Sequence, residues 1–340
     1  MRAAAVLCDD WRNAPAAETC ALLEEEGRVW RRDLGWDVRR SWSVIEPARA
    51  AGALPGFIAR DGSDRVIGWT WFLQHRGALQ VAALVADQRE VVEALVEAVL
   101  ASEQARASAA QVWSVRGTPP SLAETLTASG LRAEPYLYLT ADLAAAGKGP
   151  KVPRSNGPRV HPRTLEPLDP WTFREWRASD QTLTARLLAD AYRSADHIRA
   201  FAPDGSHESW QAYVRTLVET DGCGELLSSA TLVAEHDGPA GAVVTTTIDG
   251  EHGVAHLAQI AVSPRMQGQG LARTLLHRAM TASAREGLGS MTLLVSSRNT
   301  PAQRLYEAHG FKQTGAFTIA AGPSQGPRVQ RSNGPKVPAS

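Results

Sequence analysis

Gln267, Gly268, Gln269, Gly270, Leu271 and Ala272 set two glycines between an apolar run and a long amphipathic segment. The chemistry of such a turn is anion binding. A helix begins with amides that have no partner inside the helix, and its dipole adds about half a positive charge there. Glycine admits positive φ and lets a phosphate approach the backbone without a Cβ in the way. On its own a Gly-x-Gly turn is equally a tight structural turn, so the flanking elements decide the matter.

His256-Leu257-Ala258-Gln259-Ile260-Ala261-Val262 reads as a strand, ended by Ser263-Pro264 because proline cannot continue a ladder. After the turn, Leu271, Leu275 and Ala279 align beside Ala272, Leu276 and Met280 in one apolar stripe. Arg273, Thr274, His277 and Arg278 face the other way, Gly287 and Gly289 close the helix, and Met291 to Val295 forms the next strand. A second block, Asn299-Thr300-Pro301-Ala302-Gln303-Arg304-Leu305-Tyr306-Glu307-Ala308-His309-Gly310-Phe311, reads as a short helix. Thr300 is expected to cap it, Pro301 to occupy its first position and Gly310 to end it.

Together the two blocks resemble the GNAT superfamily of N-acetyltransferases, whose signature Gln/Arg-x-x-Gly-x-Gly/Ala stands here as Gln267, Gly270 and Ala272. The resemblance covers residues 166–320 and implies an α+β fold, a mixed and mostly antiparallel sheet flanked by helices. It implies acetyl-CoA as cosubstrate, held by Gln267, Gly268, Gln269, Gly270, Leu271 and Ala272. It further implies that the pantetheine arm pairs with Ile260, Ala261 and Val262, with Asn299 beside it. An amide near Val262 would polarise the thioester carbonyl.

Tyr306 is the candidate general acid, because a phenol of pKa ~10 suits protonation of a leaving thiolate; packing of the small helix on the sheet is its alternative. The family's usual glutamate falls at Ala258, so the chain departs from the pattern there. His256, two residues back and expected on the same face, is the candidate base. A buried structural histidine remains the competing reading, Glu251 and His252 are weaker candidates, and solvent could serve instead. Phe201, Trp210 and Tyr213 are expected to wall an acceptor pocket with Asp196, Asp204 and Glu208 as groups that suit a cation. The three-residue spacing of Trp210 and Tyr213 equally fits core packing.

The first half carries the same grammar without the chemistry. Strand-turn-strand runs recur at Phe57–Gly68 and Leu232–Val244, and Ser121–Gly130 lines up with Pro301–Gly310 at an offset of 180 residues. No glycine lies between Leu84 and Val115, and Asp87 with Glu90 reads as a capping box where a phosphate would sit. Leu126 stands for Tyr306 and Pro119 for Asn299. The expected organisation is a GNAT-like module over residues 1–145 without the cofactor site, a linker over 146–165, a catalytic module over 166–320 and a flexible tail over 321–340. This tandem plan resembles bacterial two-module acetyltransferases of the mycothiol-synthase type. The first module would be structural or would wall the substrate cleft. A Pro/Gly-rich motif at 149–160 returns at 326–337, marking linker and tail.

Totals narrow the classes. The 36 Lys and Arg balance 36 Asp and Glu, which gives no global attraction for nucleic acid or anionic membrane. Cys8, Cys20 and Cys223 lack disulfide or metal spacing, and there is no signal-like or spanning apolar run, so a cytoplasmic setting without metal is expected. The function expected is transfer of an acetyl group to a primary amine of a small molecule, by a monomer or homodimer. A non-catalytic acyl-CoA-binding or scaffold protein, and acetylation of a protein amine, are the alternatives.

Overall fold

The computed structural model describes residues 6–75, 77–145, 171–193, 195, 201–202, 204–219, 223–248 and 253–323. In the first module the chain forms β1 (Leu7–Asp10), α1 (Ala16–Leu34), α2 (Arg39–Ala50), β2 (Gly56–Arg60), β3 (Val66–His75) and β4 (Ala78–Ala86). It continues through α3 (Arg89–Ala101), α4 (Glu103–Ala107), β5 (Ala110–Arg116), α5 (Leu122–Ala128) and β6 (Arg132–Asp142). The second module repeats the plan. It has β7 (Thr172–Glu175), α6 (Gln181–Tyr192), α7 (His207–Glu219), β8 (Glu225–Leu226), β9 (Leu232–Glu235), β10 (Pro239–Ile248) and β11 (Val254–Val262). Then come α8 (Leu271–Arg285), β12 (Ser290–Ser296), α9 (Thr300–Glu307) and β13 (Lys312–Pro323).

The stripe of α8 is buried as its spacing requires: Leu271, Leu275, Leu276, Ala279 and Met280 pack on Val243, Ala255, Leu257 and Leu293. The opposite face of β10 and β11 carries Ala242 and Ala261, covered by Leu188 of α6 and by Trp210 and Val214 of α7. In the first module Val91, Val92, Leu95, Val96 and Val99 of α3 are fully buried, each side chain contributing about 1.5–3 kcal/mol of apolar burial.

One sheet runs through both modules, in the order β1-β2-β3-β4-β5-β13-β6-β12-β11-β10-β9-β7, with β8 pairing β10. Each module's last strand therefore lies in the other module's half. β13 pairs β5, β6 pairs β12, and the two exchanged strands pair with each other antiparallel. Tyr136 sits opposite Phe317 and Leu137 opposite Ala316. Adding 180 residues interchanges these pairs, so a local pseudo-twofold axis passes between them. β13 extends to Pro323, three residues into the segment expected as tail. Both copies of the Pro/Gly-rich motif lie outside the described residues.

Two irregularities recur in both modules. β4 and β5 pair in parallel only as far as Val81 and Trp113, and β11 and β12 only as far as Leu257 and Leu293. Beyond those points the strands splay. At the same place each inner strand carries one extra residue: Ala82, between partners of Trp71 and Phe72, and Ala258, between partners of Val244 and Thr245. A bulge of this kind bends the strand and resets which side chains face which layer.

Candidate active site

The splay between β11 and β12 opens a slot with a cavity of about 40 Å³. Ladder alternation decides what its edge offers. Ser263 N–H donates to Ala240 O, so the amides of Ile260 and Val262 turn away from β10 toward the edge that β12 has left. The Ile260 N–H and C=O and the Val262 N–H are the edge-facing groups that an extended polyamide arm would pair with; the Val262 carbonyl accepts from Gln267 Nε2. Ile260 lines the slot, whereas the side chain of Ala261 is buried against α6 and α7 and that of Val262 against α8.

At the end of β11, residues 264–266 form a short 3-10 turn and the chain enters the glycine turn. Gly268 and Gly270 sit at φ of +76° and +90°, in the left-handed region that a side chain resists. Gly270 is the N-cap of α8 and no side chain caps that end, so the first amides of the 15-residue helix are free for an anion. Gln267 Nε2 donates to Val262 O at 3.3 Å and Gln269 Nε2 to Arg265 O at 3.1 Å, folding the turn back on the strand. Leu271 anchors the helix in the core and Ala272 is half-buried beside it.

Tyr306 lines the same slot from α9 and packs its ring 5.7 Å from Phe311. Burial holds its phenol above the usual range, so it stays protonated and available as a donor. Asn299 also lines the slot, but its carboxamide is spent locally: Oδ1 accepts the Ala302 N–H at 3.3 Å. Asn299, not Thr300, is therefore the helix cap, and Thr300 is the first helical residue.

His256 does not reach the slot. It lies opposite Thr292 in the region where β11 and β12 are still paired, with Nδ1 3.0 Å from Thr292 Oγ1 and Trp36 edge-on at 5.5 Å. Burial pulls its pKa down to about 4. The two-residue alternation that put it beside Ala258 fails because Ala258 is the bulge residue. Gln259 takes the inward position instead: Nε2 donates to Tyr213 Oη at 3.0 Å, and Tyr192 Oη donates to Oε1 at 3.3 Å. Glu251 and His252 lie outside the described residues, as does Asp196.

Of the expected acceptor wall, Phe201 and Trp210 line the slot. Trp210 is buried with its indole N–H unpartnered among the described residues. Tyr213 stacks on Phe201 at 4.7 Å and reaches the slot through Gln259. Asp204 stands apart. Its carboxylate accepts the Ser206 N–H at 2.9 Å and the Ser206 hydroxyl at 3.1 Å, shaping the approach to α7 rather than the pocket. Glu208 is exposed at the start of α7.

Among the polar lining residues, sequence reasoning missed Gln259, Tyr192, Tyr136 and Ser296. Tyr136 belongs to β6 of the first module and comes in opposite Ser296 through the strand exchange. Its only sequence signal was an aromatic in an apolar strand, which pointed to the core of its own module.

The equivalent place in the first module keeps bulge and splay but not the cradle. α3 begins at Arg89 after an extended Gln88, and no side-chain cap forms, so the expected Asp87–Glu90 box is absent. Leu126 is fully buried where Tyr306 would stand. A cavity of about 210 Å³ remains there, walled by Trp30, Trp36, Trp42 and Trp71 and closed by the ion pair of Glu26 with Arg116 at 2.9 Å.

Residues 185–311 match the Acetyltransferase (GNAT) family profile. Among solved structures, a Drosophila protein aligns over 95% of this chain and 100% of its own at TM-score 0.51 and 12% identity. A glucosamine N-acetyltransferase region of a fungal multi-domain β-N-acetylglucosaminidase aligns over 95% of this chain and 38% of its own, at TM-score 0.53 and 14% identity. A tandem GNAT protein of the clavulanic acid pathway covers 80% of this chain and 83% of its own at TM-score 0.48 and 14% identity. A search of curated proteins found no match. The profile match lies within the second module, and the first module repeats that module's topology. Among the described residues no helix is long and apolar enough to cross a membrane, and no group of three or more His, Cys, Asp or Glu is placed to hold a metal.

Proposed function

We propose that the second module transfers the acetyl group of acetyl-CoA to a primary amine of a small molecule. The observation that carries this reading is the junction of two features: the uncapped, glycine-turned start of α8, and a slot with free strand edges into which Tyr306 projects. The first suits the pyrophosphate and the second suits the pantetheine arm and thioester. Attack of a neutral amine on the thioester carbon forms the C–N bond. Loss of the thiolate breaks the C–S bond, and the Tyr306 hydroxyl supplies the proton that the sulfur takes up. An amide at Ile260 or Val262 is positioned on the open edge to stabilise the oxyanion.

A small acceptor is favoured over a protein amine by the slot's enclosure: Tyr136, Tyr192, Phe201 and Trp210 crowd a cavity of about 40 Å³. A cytoplasmic setting is in keeping with three cysteines that are free thiols. Coenzyme A thiol release, followed over a panel of amino sugars, amino acids, polyamines and peptides with free termini, tests the reading. Turnover is expected with at least one small amine and not with the peptides. Binding of coenzyme A without turnover of any amine would leave an acyl-CoA-binding protein instead.

A further inference from the structure

Gln259 cannot take a proton, His256 is sealed away from the slot, and the slot's other titratable side chains are the tyrosines 136, 192 and 306. Burial raises all three phenols, Tyr192 to about 12, so none is a base near neutral pH. One carboxylate nevertheless lies directly behind the lining. Glu134 of β6 is 5% exposed, and its Oε1 accepts a hydrogen bond from Ser296 Oγ at 2.9 Å. Ser296 is the last residue of β12 and lines the slot. Glu134 and Tyr136 are two residues apart on β6, and both arrive in the second module's site only because β6 is exchanged into it.

We propose that Glu134, contributed by the first module, accepts the proton that leaves the acceptor ammonium, acting through Ser296. The inference rests on the acetyltransferase reading above. A serine hydroxyl has one donor and two acceptor positions. In Ser296 the donor is committed to Glu134, and one acceptor position is taken by the Arg298 N–H at 3.1 Å. The remaining acceptor position of this largely buried hydroxyl is the one left for a donor in the slot that Ser296 lines. An ammonium N–H delivered there passes its proton to Oγ as the hydroxyl proton passes to Oε1, leaving a neutral amine and a protonated Glu134. The amine then forms the C–N bond as the C–S bond breaks. Sulfur takes the Tyr306 proton, and the second nitrogen proton returns to Tyr306. Glu134 releases its proton to solvent, so ammonium plus thioester gives amide, thiol and one proton. Glu134 is a positioning residue in this scheme, and Ser296 is the group that meets the substrate.

The test compares the wild type with Glu134→Gln, Glu134→Asp, Ser296→Ala and the Glu134→Gln/Ser296→Ala double variant, measuring coenzyme A release with the best small amine. Glu134→Gln is isosteric and keeps an acceptor for Ser296, so the expected outcome is a kcat lower by about 100-fold with the KM for acetyl-CoA nearly unchanged. Glu134→Asp recovers most of that loss. Ser296→Ala loses as much as Glu134→Gln, and the double variant loses no more than either, as members of one relay should. Should Glu134→Gln fail to fold, Ser296→Ala carries the test by the same KM and kcat comparison. Wild-type kcat in Glu134→Gln, or additive losses in the double variant, would overturn the relay while leaving the acetyltransferase reading intact. A wild type that turns over no amine would overturn both.

Discussion

Tyr306 holds its hydroxyl in the slot because Asn299 fixes the start of α9 and Phe311 holds the ring. Replacement by phenylalanine removes only the proton donor, so Tyr306→Phe should lower kcat by about 100-fold with little change in the KM for acetyl-CoA. Steady-state kinetics decide it, and an unchanged kcat would remove Tyr306 as the acid. His256 makes a prediction of the opposite kind, on stability alone. Its folded pKa of about 4 lies below the unperturbed 6.5. As pH falls through 6.5 the unfolded chain takes up a proton that the folded chain resists, so stability is full above 6.5 and declines toward 4. The loss amounts to roughly 3 kcal/mol across that window. Urea denaturation at pH 7 and pH 4.5 should show this slope in the wild type and its absence in His256→Gln. Persistence of the slope in the variant would assign it to other groups.

At the scale of the element, what is local in sequence was legible and what is set across strands was not. The glycine turn, the α8 stripe and the short α9 were all readable, because capping, positive φ and helical spacing are properties of neighbouring residues. Gly270→Ala should cost about 1 kcal/mol in urea denaturation, the price of a side chain at φ +90°. A stability equal to wild type would mean that the turn relaxes. The bulge at Ala258 left no such trace. Residues on both sides of it are buried on both faces of the strand, so no polar–apolar alternation marks the change of phase. That single extra residue is why His256 was expected in the slot and Gln259 was not.

The whole molecule was legible as a duplication, through the 180-residue offset and the repeated strand-turn-strand grammar, but its strand exchange was not. β6 and β13 are similar apolar strands, and nothing local decides which module each completes. The exchange predicts interdependence: residues 166–340 expressed alone lack the strand that separates β12 from β13 and should not give a cooperatively unfolding monomer. Co-expression with residues 1–148 should restore one, as judged by size exclusion and circular dichroism; a stable isolated fragment would contradict the exchange. We infer that only the second of the two modules holds the cofactor. The first has the bulge and the splay, but its pocket is walled by tryptophans and α3 lacks the glycine turn, whereas the second has all the parts. Isothermal titration of the full chain with coenzyme A tests this most directly. One molecule bound per chain is expected; two per chain, or none, would contradict a single equipped module.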